Sequence, residues 1–115
     1  RGVTLTDVYC DNFSYTDQAK AIDFYHSIIP CVANSPDSLV ILTSTANLES
    51  DLFAKIWIES IKNGYGKVGP NGYHAFKITW TADPNNDSSF KERMVKMMGE
   101  LDFRKEYECE FITEV

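Results

Sequence analysis

No stretch of the 115 residues approaches the roughly 20 consecutive apolar residues that a membrane helix needs, and the opening Arg1-Gly2-Val3-Thr4 has no apolar core like that of a signal peptide. A soluble, unsecreted protein with no membrane partner is expected. Positive charge is also scarce. Eleven Lys and Arg stand against 17 Asp and Glu, a formal charge of -6, so binding to a phosphate backbone by this chain alone has no electrostatic support. Cys10, Cys31 and Cys109 form no C-x-x-C and have no His at metal-finger spacing, and they read as buried, reduced thiols. His26 and His74 belong to neither an H-x-x-x-H nor an H-E-x-x-H pattern. G-x-x-x-x-G-K-[ST] occurs nowhere, so the phosphate-cradling loop it encodes is missing. The chain also lacks an initiator Met, as expected after trimming or for a piece of a longer polypeptide.

What is present suits one domain over residues 1–115: a 43% hydrophobic and 13% aromatic composition fills one modest core. Residues 3–10, rich in β-branched and aromatic types, read as a strand. Residues 17–31 read as a helix, with Ala21, Ile22, Tyr25, Ile28 and Ile29 on one stripe, Thr16 or Asp17 as the cap, and Pro30 limiting the last turn. A turn at Ser35-Pro36-Asp37-Ser38 leads into Leu39-Val40-Ile41-Leu42, a continuous apolar run expected to be a strand buried on both faces. A second helix is expected over residues 50–62, with Phe53, Ile56, Trp57 and Ile61 inward. Residues 64–72 form a loop, 73–80 alternate as a third strand, and 82–87 form a polar turn. Ser89-x-x-Glu92 fits a capping box for a helix stopped by Gly99, and a last helix spans about residues 102–110. Strands alternating with helices imply an α/β fold with a small, mostly parallel sheet of about three strands flanked by helices.

Two strand ends carry the candidate chemistry. One ends in Asp11-Asn12 and the next in Thr43-Ser44-Thr45. In open α/β sheets ligands bind beyond the carboxyl ends of the strands, so parallel neighbours bring both clusters to one rim. There a carboxylate can hold a hydrated Mg²⁺, and small hydroxyls can sense a terminal phosphate. Gly64-Tyr65-Gly66-Lys67-Val68-Gly69 satisfies G-x-G-x-x-G in letters only, because it follows a helix and precedes a strand. The dinucleotide fingerprint needs the reverse order, so this loop reads as a flexible connection. Asp83, Asn85 and Asp87 lack the Gly and distal Glu of an EF-hand loop and read as a solvated turn.

Arg1-Gly2 followed by Val8-Tyr9-Cys10-Asp11-Asn12-Phe13-Ser14-Tyr15 resembles the "RG…hhhhDEhAF" segment (h, apolar) around the second nucleotide motif of tailed-phage terminase large subunits. Leu39-Val40-Ile41-Leu42-Thr43-Ser44-Thr45-Ala46-Asn47 resembles that family's coupling motif, and Leu52-Phe53-Ala54-Lys55-Ile56-Trp57 its "FYKIW" helix. Ile78-Thr79-Trp80, Asp83-Pro84 and Phe103-Arg104-Lys105-Glu106-Tyr107-Glu108-Cys109-Glu110-Phe111 are similar to the strand, turn and "F-x-QEY-x-x-EF" close of its ATPase domain. The likeness runs through nearly the whole chain in the family's order.

The resemblance implies the C-terminal half of a packaging motor's ATPase domain, a partial P-loop fold of the additional-strand type. The Walker A half and the nuclease domain would lie outside these residues. Asp11 would be the Walker B carboxylate that holds Mg²⁺ of MgATP through water, and Thr43, Ser44 and Thr45 would couple the nucleotide state to movement on DNA. Portal protein, small terminase subunit and double-stranded DNA would be partners of the intact parent, in the host cytoplasm during virion assembly. Asn12 stands where the family places the Glu that activates the attacking water, and an amide cannot take that proton. Ala46 and Leu48 replace the Pro and Gly of the coupling motif. This chain alone is therefore expected to bind MgATP weakly and to be inactive. The alternative is a small non-enzymatic module of the same ancestry that docks to motor or capsid proteins. With the Walker A strand absent, residues 39–42 would keep an open edge, so either residues 73–80 pair with them or two chains meet there as a homodimer.

Overall fold

The computed structural model describes residues 7–33 and 37–113, which fall into two compact units, one up to Ser44 and the other from Thr45 onward. The sequence-read strand start at residues 3–6 and the turn residues Ser35 and Pro36 lie outside the described residues.

The first unit is a strand, helix, strand unit. Its strands, β1 (Asp7–Cys10) and β2 (Leu39–Leu42), are parallel, with Asp7 opposite Leu39 and Cys10 opposite Leu42. Between them, the turn Phe13–Tyr15 leads to α1 (Gln18–Ala33). Asp17 caps α1, its Oδ1 accepting from the Lys20 N–H at 3.2 Å and its carbonyl from the Ala21 N–H at 2.8 Å. The helix continues past Pro30, whose missing N–H forgoes one bond in the last turn. Phe13, Ala21 and Val32 are buried, and the Phe13 ring lies 6.3 Å from that of Tyr25. Val8, Cys10, Val40 and Leu42 are half-buried on one face of the strand pair.

The other face is open. Tyr9, Leu39 and Ile41 are 64%, 54% and 43% exposed, which corrects the expectation that β2 is buried on both faces. The apolar run specified a strand, but burial on both faces needs a second covering layer, and these residues have one covered face.

The second unit carries α2 (Leu52–Ser60), α3 (Phe90–Met98) and α4 (Glu100–Glu106). The Asp51 carboxylate, almost wholly buried, caps α2 by accepting from the Ala54 N–H at 2.8 Å. The expected inner stripe holds in part, since the Phe53 ring meets Phe111 at 6.1 Å and Trp57 meets Tyr65 at 6.3 Å. Gly99, at φ 90°, ends α3 and opens α4. Trp80, Phe90, Phe103 and Tyr107 gather their rings at 5.3–6.3 Å around the fully buried Phe103.

Four expectations are corrected here. Residues 73–80 form no strand: the described sheet has two strands, and this segment carries one isolated antiparallel bridge, His74 to Val68. Its polar groups find other partners, the Lys77 N–H donating to the Tyr65 hydroxyl at 2.7 Å and the Cys109 thiol to the Ile78 carbonyl at 3.1 Å. Ser89 closes no capping box: its backbone is already helical at φ -90°, ψ -5°, and its hydroxyl donates to Asp87 Oδ1 at 2.8 Å and accepts from the Arg93 guanidinium, with no bond to a helix backbone N–H. The last helix begins and ends earlier than residues 102–110. The three cysteines are free but only half-buried.

The glycine loop is tied down by hydrogen bonds. Gly69 donates to the Tyr73 carbonyl at 2.8 Å, Asn63 Nδ2 to the Val68 carbonyl at 3.1 Å, and Asn71 Nδ2 to the Ile56 carbonyl at 3.1 Å. Gly69 passes so close to the end of α2 that a Cβ there would stand 2.5 Å from Ser60 Cα.

Candidate functional site

Residues just past two paired strand ends are necessarily neighbours. Cys10 is opposite Leu42, so Asp11 and Thr43 emerge side by side, and the Thr43 N–H donates to the Cys10 carbonyl at 2.9 Å. The Thr43 hydroxyl donates to Asp11 Oδ1 at 2.9 Å. It also lies 3.2 Å from the Tyr9 hydroxyl. A hydroxyl has one proton, and once Thr43 gives its proton to the carboxylate, Tyr9 must be the donor in the second contact. The result is a directed chain from Tyr9 through Thr43 to Asp11.

Below this chain the turn after β1 is clamped to the end of β2. Phe13 N–H donates to the Thr43 carbonyl at 3.1 Å, and Ser14 N–H donates to Ser44 Oγ at 3.2 Å. Phe13 and Ser14 are both buried. The hydroxyl triplet therefore divides by role: Thr43 meets the carboxylate and Ser44 fixes the turn that carries it. Thr45 is half-buried and belongs to the second unit.

Asn12 is exposed and left-handed at φ 54°, ψ 37°, its N–H donating to Asp11 Oδ1 at 3.0 Å and its carbonyl accepting from Tyr15 at 2.9 Å. Asn tolerates this conformation better than other residues with a Cβ. Its identity thus has a backbone reason beside any chemical one.

Asp11 is exposed, and its bonded oxygen serves both Thr43 and Asn12. Oδ2 has no protein donor among the described residues, which suits a carboxylate that accepts from a water of hydrated Mg²⁺. One carboxylate is not a metal cage, and no group of three His, Cys, Asp or Glu gathers among the described residues. A cation at Asp11 would need its other ligands from groups beyond this carboxylate, and this sequence has no phosphate loop to help supply them.

Of the sequence-read site residues, Asp11, Asn12, Thr43 and Ser44 are brought together. Tyr9 was missed. Its signal was available, because residues two apart in a strand share a face and Tyr9 precedes Asp11 by two. Asp83 and Asp87 form polar turns as expected, with Asn85 N–H on Asp83 Oδ1 at 2.9 Å and Ser89 N–H on Asp87 Oδ1 at 3.0 Å. The Ser89 hydroxyl, helped by Arg93, holds the Asp87 carboxyl below its ordinary range.

No family model matches the chain, and no curated protein or solved structure matches it.

Proposed function

We propose that the chain is the C-terminal portion of a terminase-like ATPase domain, whose parent uses ATP to drive viral double-stranded DNA into a procapsid. The observation that carries this reading is the hydrogen bond from Thr43 to Asp11, made across the carboxyl rim of two parallel strands. Asp11 takes the role of the Mg²⁺-associated carboxylate of MgATP. Thr43 and Ser44, with Thr45 following, take the role of the coupling motif. Thr43 has a single proton to give. Donated to Asp11, it ties the end of β2 to the end of β1; donated to a phosphate oxygen, it releases that tie. A hydroxyl choosing between two acceptors is a minimal device for making strand-end geometry depend on the nucleotide. The parent's partners are the portal protein, the small terminase subunit and DNA, and its place is the host cytoplasm during assembly.

Asn12 at the position of the family's general base argues that this portion has no water-activating group of its own, and the chain alone is inactive. The test uses the complete reading frame that contains these residues. Thr43→Val should lower DNA moved per ATP hydrolysed by at least about tenfold while hydrolysis falls less, as expected when a coupling contact is removed and binding is kept. Equal losses in both would remove Thr43 from the coupling role.

A further inference from the structure

Tyr9 stands opposite Ile41 in the parallel register, so Asp7, Tyr9 and Asp11 alternate onto the same face as Leu39, Ile41 and Thr43. All six belong to the first unit. On this open face Tyr9 is 64% exposed, and its hydroxyl reaches across the strand pair to lie 3.2 Å from that of Thr43. It makes no other hydrogen bond among the described residues.

A threonine side chain has three staggered positions, and its hydroxyl proton turns freely. Two contacts remove that freedom at Thr43. Donation to Asp11 Oδ1 uses the proton, whereas donation from Tyr9 uses a lone pair of the oxygen. The two bonds therefore ask different things of Thr43. The bond to Asp11 ends when the proton turns to another acceptor; the bond from Tyr9 needs only the oxygen and survives that turn. Each also strengthens the other, because a hydroxyl that accepts a hydrogen bond becomes a better donor.

We propose that Tyr9 is a positioning residue: it holds Thr43 Oγ1 at the strand-end rim whichever acceptor takes the Thr43 proton. The proton then moves between Asp11 and a second acceptor while the oxygen stays in place. No rotation about the Thr43 Cα–Cβ bond is needed, so the tie between the ends of β1 and β2 is made and released without rebuilding the rim. The positioning rests on the geometry of these two strands, and its consequence for the parent rests on the coupling role proposed above for Thr43. Tyr9 acts through Thr43 alone. Phenylalanine in its place keeps the ring and loses the donor.

Nuclear magnetic resonance of the chain tests the positioning. Three-bond couplings from Thr43 Cγ2 to its backbone nitrogen and carbonyl carbon should report one rotamer in the wild type and an average of rotamers in Tyr9→Phe. An exposed hydrogen bond adds little to folding, so Tyr9→Phe should keep the wild-type thermal transition, which loss of a packing role would shift. In the complete reading frame, Tyr9→Phe should lower DNA moved per ATP hydrolysed by at least about threefold. Tyr9→Phe combined with Thr43→Val should do no more than Thr43→Val alone, since Tyr9 works only through Thr43. Averaged Thr43 rotamers in the wild type, or a single rotamer that persists in Tyr9→Phe, overturn the proposal, and so does an additive loss in the double variant. Equal losses of transport and hydrolysis in Thr43→Val overturn the coupling role instead, and the rotamer measurement still decides the positioning.

Discussion

The Thr43 hydroxyl and the Asp11 carboxylate, 32 residues apart in sequence, meet at 2.9 Å because each immediately follows the last paired residue of a parallel strand. That contact makes the carboxyl rim of β1 and β2 a chemical unit, and it fixes what can be asked of the isolated chain.

Nucleotide binding should be weak. Most of the grip on a triphosphate comes from a phosphate loop, and this sequence has none. Calorimetric titration should give a MgATP dissociation constant no tighter than about millimolar, with no hydrolysis; micromolar binding would show that another cradle exists.

Asn12 answers to its backbone first. At φ 54°, Asn12→Ala should cost about 1 kcal/mol in denaturant unfolding while Asn12→Gly is close to neutral. Asn12→Glu should leave the isolated chain inactive, since nothing positions the phosphates. In the complete parent it should raise turnover by about 10²- to 10⁴-fold, the usual worth of a general base. Unchanged turnover there would assign water activation to another residue.

Gly69 is required by proximity rather than by dihedral angle. A Cβ would stand 2.5 Å from Ser60 Cα and 2.7 Å from its carbonyl carbon, so backbone must move. Gly69→Ala should destabilise by about 1–3 kcal/mol in the same assay; a neutral result would mean that the loop lifts away from α2 freely.

The Asp87 carboxyl gives the pH prediction. Its folded pKa is depressed, chiefly by the Ser89 hydroxyl, so its contribution is present above the unfolded carboxylate pKa and is lost as pH falls through the folded value. Carbon-detected NMR titration should place its midpoint below the ordinary Asp range, and Ser89→Ala should move it back up. No change on that substitution would assign the shift elsewhere.

Duplex DNA should not bind the chain alone. With a formal charge of -6, no salt-dependent affinity is expected at about 150 mM salt. A steep salt dependence would reveal a basic face.

How far the sequence was legible follows from where each signal acts. β1, α1 and β2 could be read because an apolar run, a helical stripe and an Asp17 cap are local, and the parallel pairing then put Asp11 beside Thr43. Residues 73–80 alternate as a strand should, yet a strand is completed by a neighbour, and the Tyr65 hydroxyl and Cys109 thiol occupy groups a neighbour would need. Ser89 has the right spacing for a capping box, but its backbone is helical rather than extended, and its hydroxyl is held between Asp87 and the Arg93 guanidinium. Tyr9 shares a strand face with Asp11 two residues on, a signal present along the chain, but the partner that gives it a role is a hydroxyl across the strand pair.

The most direct measurement is the sequence of the coding region that adjoins these residues. The account predicts an in-frame segment upstream that encodes a strand, a G-x-x-x-x-G-K-[ST] loop and a helix. A start codon immediately before Arg1, with no such segment in frame, would contradict it and leave a small binding module in place of a motor fragment.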